Sequence, residues 1–158
     1  MRKNKFLIFY LSLLLILNSC GFQLRKPIEI NYQSYAIIGD SSEISKLVHK
    51  QLSFADVKES KDGDADLVIE IINNNSTKRI LSLAGNGQVG EFELVQTIEY
   101  RFKSNGQWSE PRILEAIREY TYDPTLYNAA AAEEDLLKNS MIEQLSRSLI
   151  TEINNIGK

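Results

Sequence analysis

The chain has 158 residues, and 18 basic against 21 acidic side chains leave a formal charge of −3. An acidic balance disfavours general contact with nucleic acid or anionic lipid. A single cysteine and a single histidine exclude an intramolecular disulfide and a multi-cysteine metal site.

Arg2, Lys3 and Lys5 precede an apolar run from Phe6 to Leu17. That order is a secretory signal over residues 1–19, too short for a comfortable membrane span of roughly 20 residues. Leu17-Asn18-Ser19-Cys20 resembles a lipobox, in which the thiol is acylated and the chain is cut before the cysteine. The alternative is an ordinary leader with an incidental cysteine. Lipidation predicts an N-acyl and S-diacylglycerol lipid on Cys20, and several acyl chains give a stable anchor where one is marginal. Gly21, in place of an aspartate, points to the outer membrane. Loss of the leader removes three cations and no acid, so the mature charge is more negative. Residues 20–34, with Pro27, read as a lipidated tether, and 35–158 as one domain with one core.

Tyr35 to Ile38, closed by Gly39, reads as a first strand. Asp40 stands three residues before Glu43, the spacing of a capping box. Ile44, Leu47, Val48 and Leu52 give residues 42–54 one apolar helical face. Residues 56–66 are charged and read as a loop. Leu67 to Ile72 is a second strand, interrupted by Asn73-Asn74-Asn75-Ser76-Thr77 and resumed at Ile80 to Leu83. The interruption is either a bulge in one bent strand or a break, with the bulge preferred. Gly85-Asn86-Gly87 is a hairpin turn.

From Phe92 the alternation is clear: Phe92, Leu94, Ile98, Tyr100 and Phe102 share one side, with Gln96 the exception. Asn105-Gly106 is a strong two-residue hairpin signal. Extended along the hairpin, residues 89–122, that loop places Ile98 opposite Ile113 and Leu94 opposite Ile117 on the apolar side. It places Glu99 opposite Arg112, Glu93 opposite Arg118 and Arg101 opposite Glu110 on the polar side. Tyr120 and Tyr122 then fall on the polar side, where a partner could cover them. Pro111 marks an edge strand. Asp123-Pro124 stops it. A helix begins at Ala129–Ala132, with Glu133, Glu134 and Asp135 in its first turns. Leu137, Met141, Leu145, Leu149 and Ile153 form its stripe, widened by Ile142, Ile150 and Ile156, and Gly157 reads as its stop. The order β-α-β-β-β-α predicts an α+β two-layer sandwich: a four-stranded, mixed but mostly antiparallel sheet with two helices on one face. The first two strands should pair in parallel.

No constellation for catalysis stands out. His49 lies between core positions of the first helix and reads as a solvated or capping residue. No phosphate loop precedes a helix, and no His/Cys cluster suits a metal. The chain reads as a non-enzyme without cofactor beyond its lipid.

Four stretches resemble the LptE family of lipopolysaccharide-assembly lipoproteins: Cys20-Gly21-Phe22-Gln23-Leu24-Arg25; Asn86-Gly87-Gln88 with Glu91 to Leu94; Arg118 to Asp123; and Leu136 to Leu149. The resemblance implies a plug inside the outer-membrane β-barrel LptD that assists its assembly and helps to deliver lipopolysaccharide. It also implies lipopolysaccharide binding. Family members carry a basic residue before Asn-Gly-Gln and another at the start of the last helix; here Ala84-Gly85 and Tyr127–Ala132 are neutral. Lys78 and Arg79 are the expected substitutes, and solvated strand residues are the alternative. Leu83, Asn86, Gly87 and Gln88 are the expected barrel contacts at the hairpin tip. The rival readings are a lipid-binding accessory of another envelope transporter, which needs an apolar groove, and a periplasmic enzyme or inhibitor.

Overall fold

The computed structural model describes residues 30–39, 42–60 and 64–156. The leader, Cys20, most of the tether, Asp40 and Gly157 lie outside them. The first strand, β1 (Ser34–Gly39), leads into helix α1 (Glu43–Phe54). Ser42, not Asp40, is the N-cap, and its side chain makes no capping bond. Glu43 is therefore the first helical residue, and the capping-box spacing is unused. Two residues of the expected loop form a short strand, β2 (Lys58–Glu59). They pair in parallel with β1.

The long strand β3 (Leu67–Leu83) is continuous through the asparagines. It pairs in parallel with β1 up to Ile71 and antiparallel with β4 (Val89–Ser104) along its whole length. Ile71 faces Tyr100 and Asn73 faces Glu99, so Ile72 is the extra residue of a bulge. The bulge inverts the strand's parity. Leu67, Ile69 and Ile71 are buried before it. After it, Asn74, Ser76, Lys78 and Ile80 lie opposite Ile98, Gln96, Leu94 and Phe92. Gln96, the one polar residue in that row, is buried and donates from Nε2 to Asn74 Oδ1 at 2.6 Å. Gly39 closes β1 with φ +99, and a Cβ there would sit 2.3 Å from the Ile71 carbonyl oxygen.

The register of the last hairpin departs from the sequence expectation. At its tip the two-residue loop holds: Asn105 and Gly106 both have positive φ, and the short strand β5 (Gln107–Trp108) pairs Lys103 with Trp108 and Ser104 with Gln107. Ser109 continues that register, its N–H donating to the Phe102 carbonyl at 2.8 Å while its hydroxyl accepts from the Phe102 N–H at 3.1 Å. Then β6 (Arg112–Thr121) starts one residue late, with Arg112 facing Tyr100. Glu110 and Pro111 together occupy the space opposite Arg101, a bulge in which Pro111 has no N–H to contribute. Every side chain of β6 is thereby turned to the other face. Ile98 faces Leu114, Leu94 faces Arg118, Glu99 faces Ile113 and Glu93 faces Glu119. Ala116 and Tyr120 are buried in place of Ile113 and Ile117, which are 69% and 45% exposed.

Asp123 caps a 3-10 turn, Pro124–Leu126, accepting from the Thr125 N–H at 2.8 Å and its hydroxyl at 2.6 Å. The turn runs directly into α2 (Tyr127–Ile156). The helix therefore starts earlier than expected, and Glu133 to Asp135 fall beyond its first turn. Met141, Leu145, Leu149 and Ile153 are buried, with Leu137 and Ile142 packed against them. Gln51 of α1 donates to the Ser146 hydroxyl of α2 at 2.9 Å, joining the helices. The result is an α+β mixed sheet ordered β2-β1-β3-β4, with β5 and β6 both against the far side of β4. Of the six strands among the described residues, two are two-residue segments: β2 lies in the expected loop, and β5 is the start of the expected fourth strand, separated from β6 by the bulge. Both helices pack on one face, around a single core that includes Ile30 and Tyr32.

Candidate ligand and partner surfaces

Among the described residues no strand flanks β3 beyond Ile71 on the side away from β4, so residues 73–83 form an open edge of a hairpin arm. Its end is a three-residue turn. The Gly87 N–H donates to the Ala84 carbonyl at 2.9 Å, the Ala84 N–H to the Gln88 carbonyl at 2.7 Å, and Gly87 takes φ +81. That geometry needs a residue at ease in the left-handed region, which glycine is. Asn86 Oδ1 accepts from the Gln88 N–H at 3.1 Å, and its Nδ2 donates to Gln88 Oε1 at 2.9 Å. Asn86, Gly87 and Gln88 are thus together at the tip and hold one another. Leu83, beside them, is 64% exposed.

Lys78 and Arg79 are not brought together. Neighbours on a strand point to opposite faces. Lys78 turns toward α2. Its Nζ lies 2.6 Å from Glu134 Oε2 and 4.0 Å from the centre of the Phe92 ring. The Tyr120 hydroxyl donates to the same Glu134 oxygen at 2.6 Å, and Lys138 reaches the other oxygen at 2.6 Å. Arg79 lies on the uncovered face, paired through Nε and Nη2 with Glu93 at 2.5 and 3.1 Å.

Burial disfavours the charged form of Glu134, but hydrogen bonds from Lys138, Lys78 and Tyr120 outweigh it and hold the carboxyl down at about 2. Burial likewise works against the Lys78 ammonium and is overcome by its bonds to Glu134 and Tyr120, leaving its pKa raised. Two ammonium groups share one carboxylate, so the cluster keeps a net positive charge. Sequence reasoning missed Lys138 and Glu134 as members. The spacing of four residues between them was the available signal; their proximity to Lys78 was not readable. Tyr120, expected on the polar side, is buried because of the β6 bulge, and Tyr122 packs against the core, T-shaped on Phe92 at 5.2 Å.

His49 Nδ1 is hydrogen-bonded to the Tyr35 hydroxyl at 2.6 Å. Among the described residues, no group of three or more His, Cys, Asp or Glu could hold a metal. Among them, too, no helix is long and apolar enough to cross a membrane. Between the helices and the sheet, at Ile30, Leu52, Ile69 and Ile153, the apolar gap is about 10 Å³. An open polar basin of about 520 Å³ lies at the base of the sheet, lined by Asn31, Tyr32, Asp66 and Asn105. Asp66 Oδ2 accepts there from the Gln33 and Ser34 N–H groups at 3.2 and 3.1 Å, so its acid is spent on fastening the chain entry.

Residues 26–153 match the model of the LptE family, described as Lipopolysaccharide-assembly. The LPS-assembly lipoprotein LptE of Pectobacterium atrosepticum is 25% identical over 163 residues, which span 99% of this chain and 89% of that protein. Lipoprotein B of Nitrosomonas europaea has the same fold at a TM-score of 0.73 and 23% identity, over 86% of this chain and 92% of that one. Rare lipoprotein B of Shewanella oneidensis has a TM-score of 0.69 at 25% identity, over 78% and 93%.

Proposed function

This chain belongs to the LptE, Lipopolysaccharide-assembly, family, and from that premise we propose that it is an outer-membrane lipoprotein that plugs the LptD β-barrel and helps to deliver lipopolysaccharide to the cell surface. The match of residues 26–153 carries the reading. The LPS-assembly role of the Pectobacterium relative supports it. A barrel lumen is polar and wet, and the hairpin arm suits it: its open edge is rich in asparagine, serine and threonine, and its charges are paired across the sheet or to α2. The chain acts through shape and surface rather than by turnover. Cys20, as the first mature residue, carries the lipid, and its alanine variant leaves the membrane fraction; unchanged fractionation removes the anchor. Leu83, Asn86, Gly87 and Gln88 meet the barrel. Detergent extraction and pull-down tests the whole reading: a stoichiometric outer-membrane barrel supports it, and its absence overturns it.

Lys78 and Arg79 contact lipopolysaccharide phosphate from opposite faces of the arm, Lys78 with the surplus charge of the Glu134 cluster. The Lys78→Ala, Arg79→Ala double variant should bind lipopolysaccharide more weakly, with a shallower salt dependence. An unaltered titration removes both. A lipid-carrier reading would need a groove far larger than the 10 Å³ gap that the described residues leave between the helices and the sheet at Leu52 and Ile69.

A further inference from the structure

The one-residue bulge at Glu110-Pro111 does more than change the pairing. It turns two isoleucines out of the interior and onto the uncovered face of the sheet. Ile117 lies there directly opposite Val95, and Ile113 opposite Glu99. Bulges re-aim side chains, and apolar residues gathered on an exposed face mark interaction surfaces. The strand that carries them is also an edge: β6 pairs with β4 on one side, and among the described residues no strand pairs with its other side. Alternate residues along its ten-residue length turn main-chain groups to that edge for strand addition, and the Ile117 carbonyl accepts from Arg118 Nη1 at 2.7 Å.

The charges around the isoleucines fix what can bind. Glu115 and Glu119 alternate with them on the same face of β6, and Glu99 adjoins from β4. No ion pair reaches any of the three among the described residues. Glu119 moreover stands opposite Glu93, a like-charge pairing that costs stability when uncompensated. Arg79 answers only Glu93. The β6 edge of the face therefore reads Ile, Glu, Ile, Glu, and a phosphate or an anionic membrane is repelled from that edge, two strands away from Arg79.

We propose that the free edge of β6 is a docking strand for a protein segment in extended conformation, with apolar and basic side chains alternating along one of its faces. Such a strand continues the sheet through main-chain hydrogen bonds, sets its apolar side chains on Ile113 and Ile117, and neutralises Glu115 and Glu119. The proposal goes beyond the barrel reading, since it specifies the chemistry of the bound segment and holds whichever protein supplies it.

The test uses a nine-residue peptide of alternating threonines, with lysine and isoleucine taking turns at the remaining positions, and a second peptide in which glutamate replaces lysine. Each is titrated into the purified full chain while amide hydrogen exchange is followed. The lysine peptide should slow exchange over residues 112–121 and weaken severalfold as salt is raised. The glutamate peptide should bind at least about tenfold more weakly. In the Glu115→Lys, Glu119→Lys variant the preference should reverse. Equal binding of the two peptides, protection at residues 73–83 instead, or self-association through β6 that neither peptide displaces would each overturn the proposal. The comparison of the two peptides on the unmodified chain stands even if the double variant does not fold.

Discussion

Lys78 Nζ lies 2.6 Å from Glu134 Oε2, and this contact fastens the open edge of the hairpin arm to the second helix across 56 positions of sequence. Glu134 also takes the Tyr120 hydroxyl and Lys138, so one mostly buried carboxylate ties strand β3, strand β6 and helix α2 together.

Acid should loosen this knot in a defined interval. The Glu134 carboxyl sits at about 2 in the folded chain against an ordinary 4.5. Its stabilising contribution is complete above the ordinary value and drains away as pH falls toward 2. Urea unfolding midpoints should decline across that interval, and Glu134→Gln should flatten the decline while costing about 1–3 kcal/mol at neutral pH through loss of charged hydrogen bonds. An acid limb of the same slope in the variant would assign the effect to other carboxylates.

The β6 register makes a prediction about coupling. Glu93 faces outward with Arg79, whereas Arg118 turns to the helix side and donates from Nη2 to Gln144 Oε1 at 2.6 Å. A double-mutant cycle on Glu93 and Arg118 should return additive effects, within about 0.5 kcal/mol. The cycle on Glu93 and Arg79 should return about 0.5–3 kcal/mol, since the arginine is exposed but the Glu93 carboxylate it holds is buried. Strong coupling of Glu93 to Arg118 would restore the unbulged pairing.

Truncation separates the two faces of the sheet. Leu94 is 1% exposed, and Leu94→Ala should cost about 2–5 kcal/mol. Ile113→Ala should change the stability of the isolated chain by no more than about 0.5 kcal/mol, as is usual at exposed positions. Equilibrium denaturation of the two variants side by side checks the inversion caused by the bulge.

At Gly39 the backbone leaves no room for a side chain. Its φ of +99 and the 2.3 Å approach to the Ile71 carbonyl oxygen mean that Gly39→Ala must shift β1 against β3. The left-handed conformation alone costs about 1–2 kcal/mol for a residue with a Cβ, and the steric clash adds to it. A melting temperature close to that of the parent chain would refute this account.

Much of the architecture was legible because period and parity carry it. The stripe from Met141 to Ile153 specified one face of a long helix, and the alternation from Leu94 to Phe102 specified which side of β4 is buried. The bulge beside the asparagines was the preferred reading of that stretch and is present at Ile72; what the residues could not reveal was the extra residue at Glu110-Pro111. Extending the Asn105-Gly106 register through β6 is sound only while the ladder is unbroken. Glu110-Pro111 breaks it, and one residue is enough to exchange inside for outside. Tyr120 and Ile117 were misplaced for that single reason. The candidate cations fared similarly. That Lys78 and Arg79 face opposite ways follows from strand geometry, but that Glu134 and Glu93 would claim them depends on contacts that no local pattern encodes.

The hydrogen bond between Gln96 and Asn74 marks where the interior becomes mixed. On one side of it lie Tyr100, Phe102, Leu67 and Ile69; on the other, Leu94 and Tyr120 are still buried but share the helix-facing side with the Glu134 carboxylate and the Lys78 ammonium group. The molecule is thus an apolar foot bearing a wet limb, and the two answer to different solvents. Ionic strength should slacken the limb and leave the foot intact, whereas cooling, which weakens hydrophobic burial, should tell first on the foot.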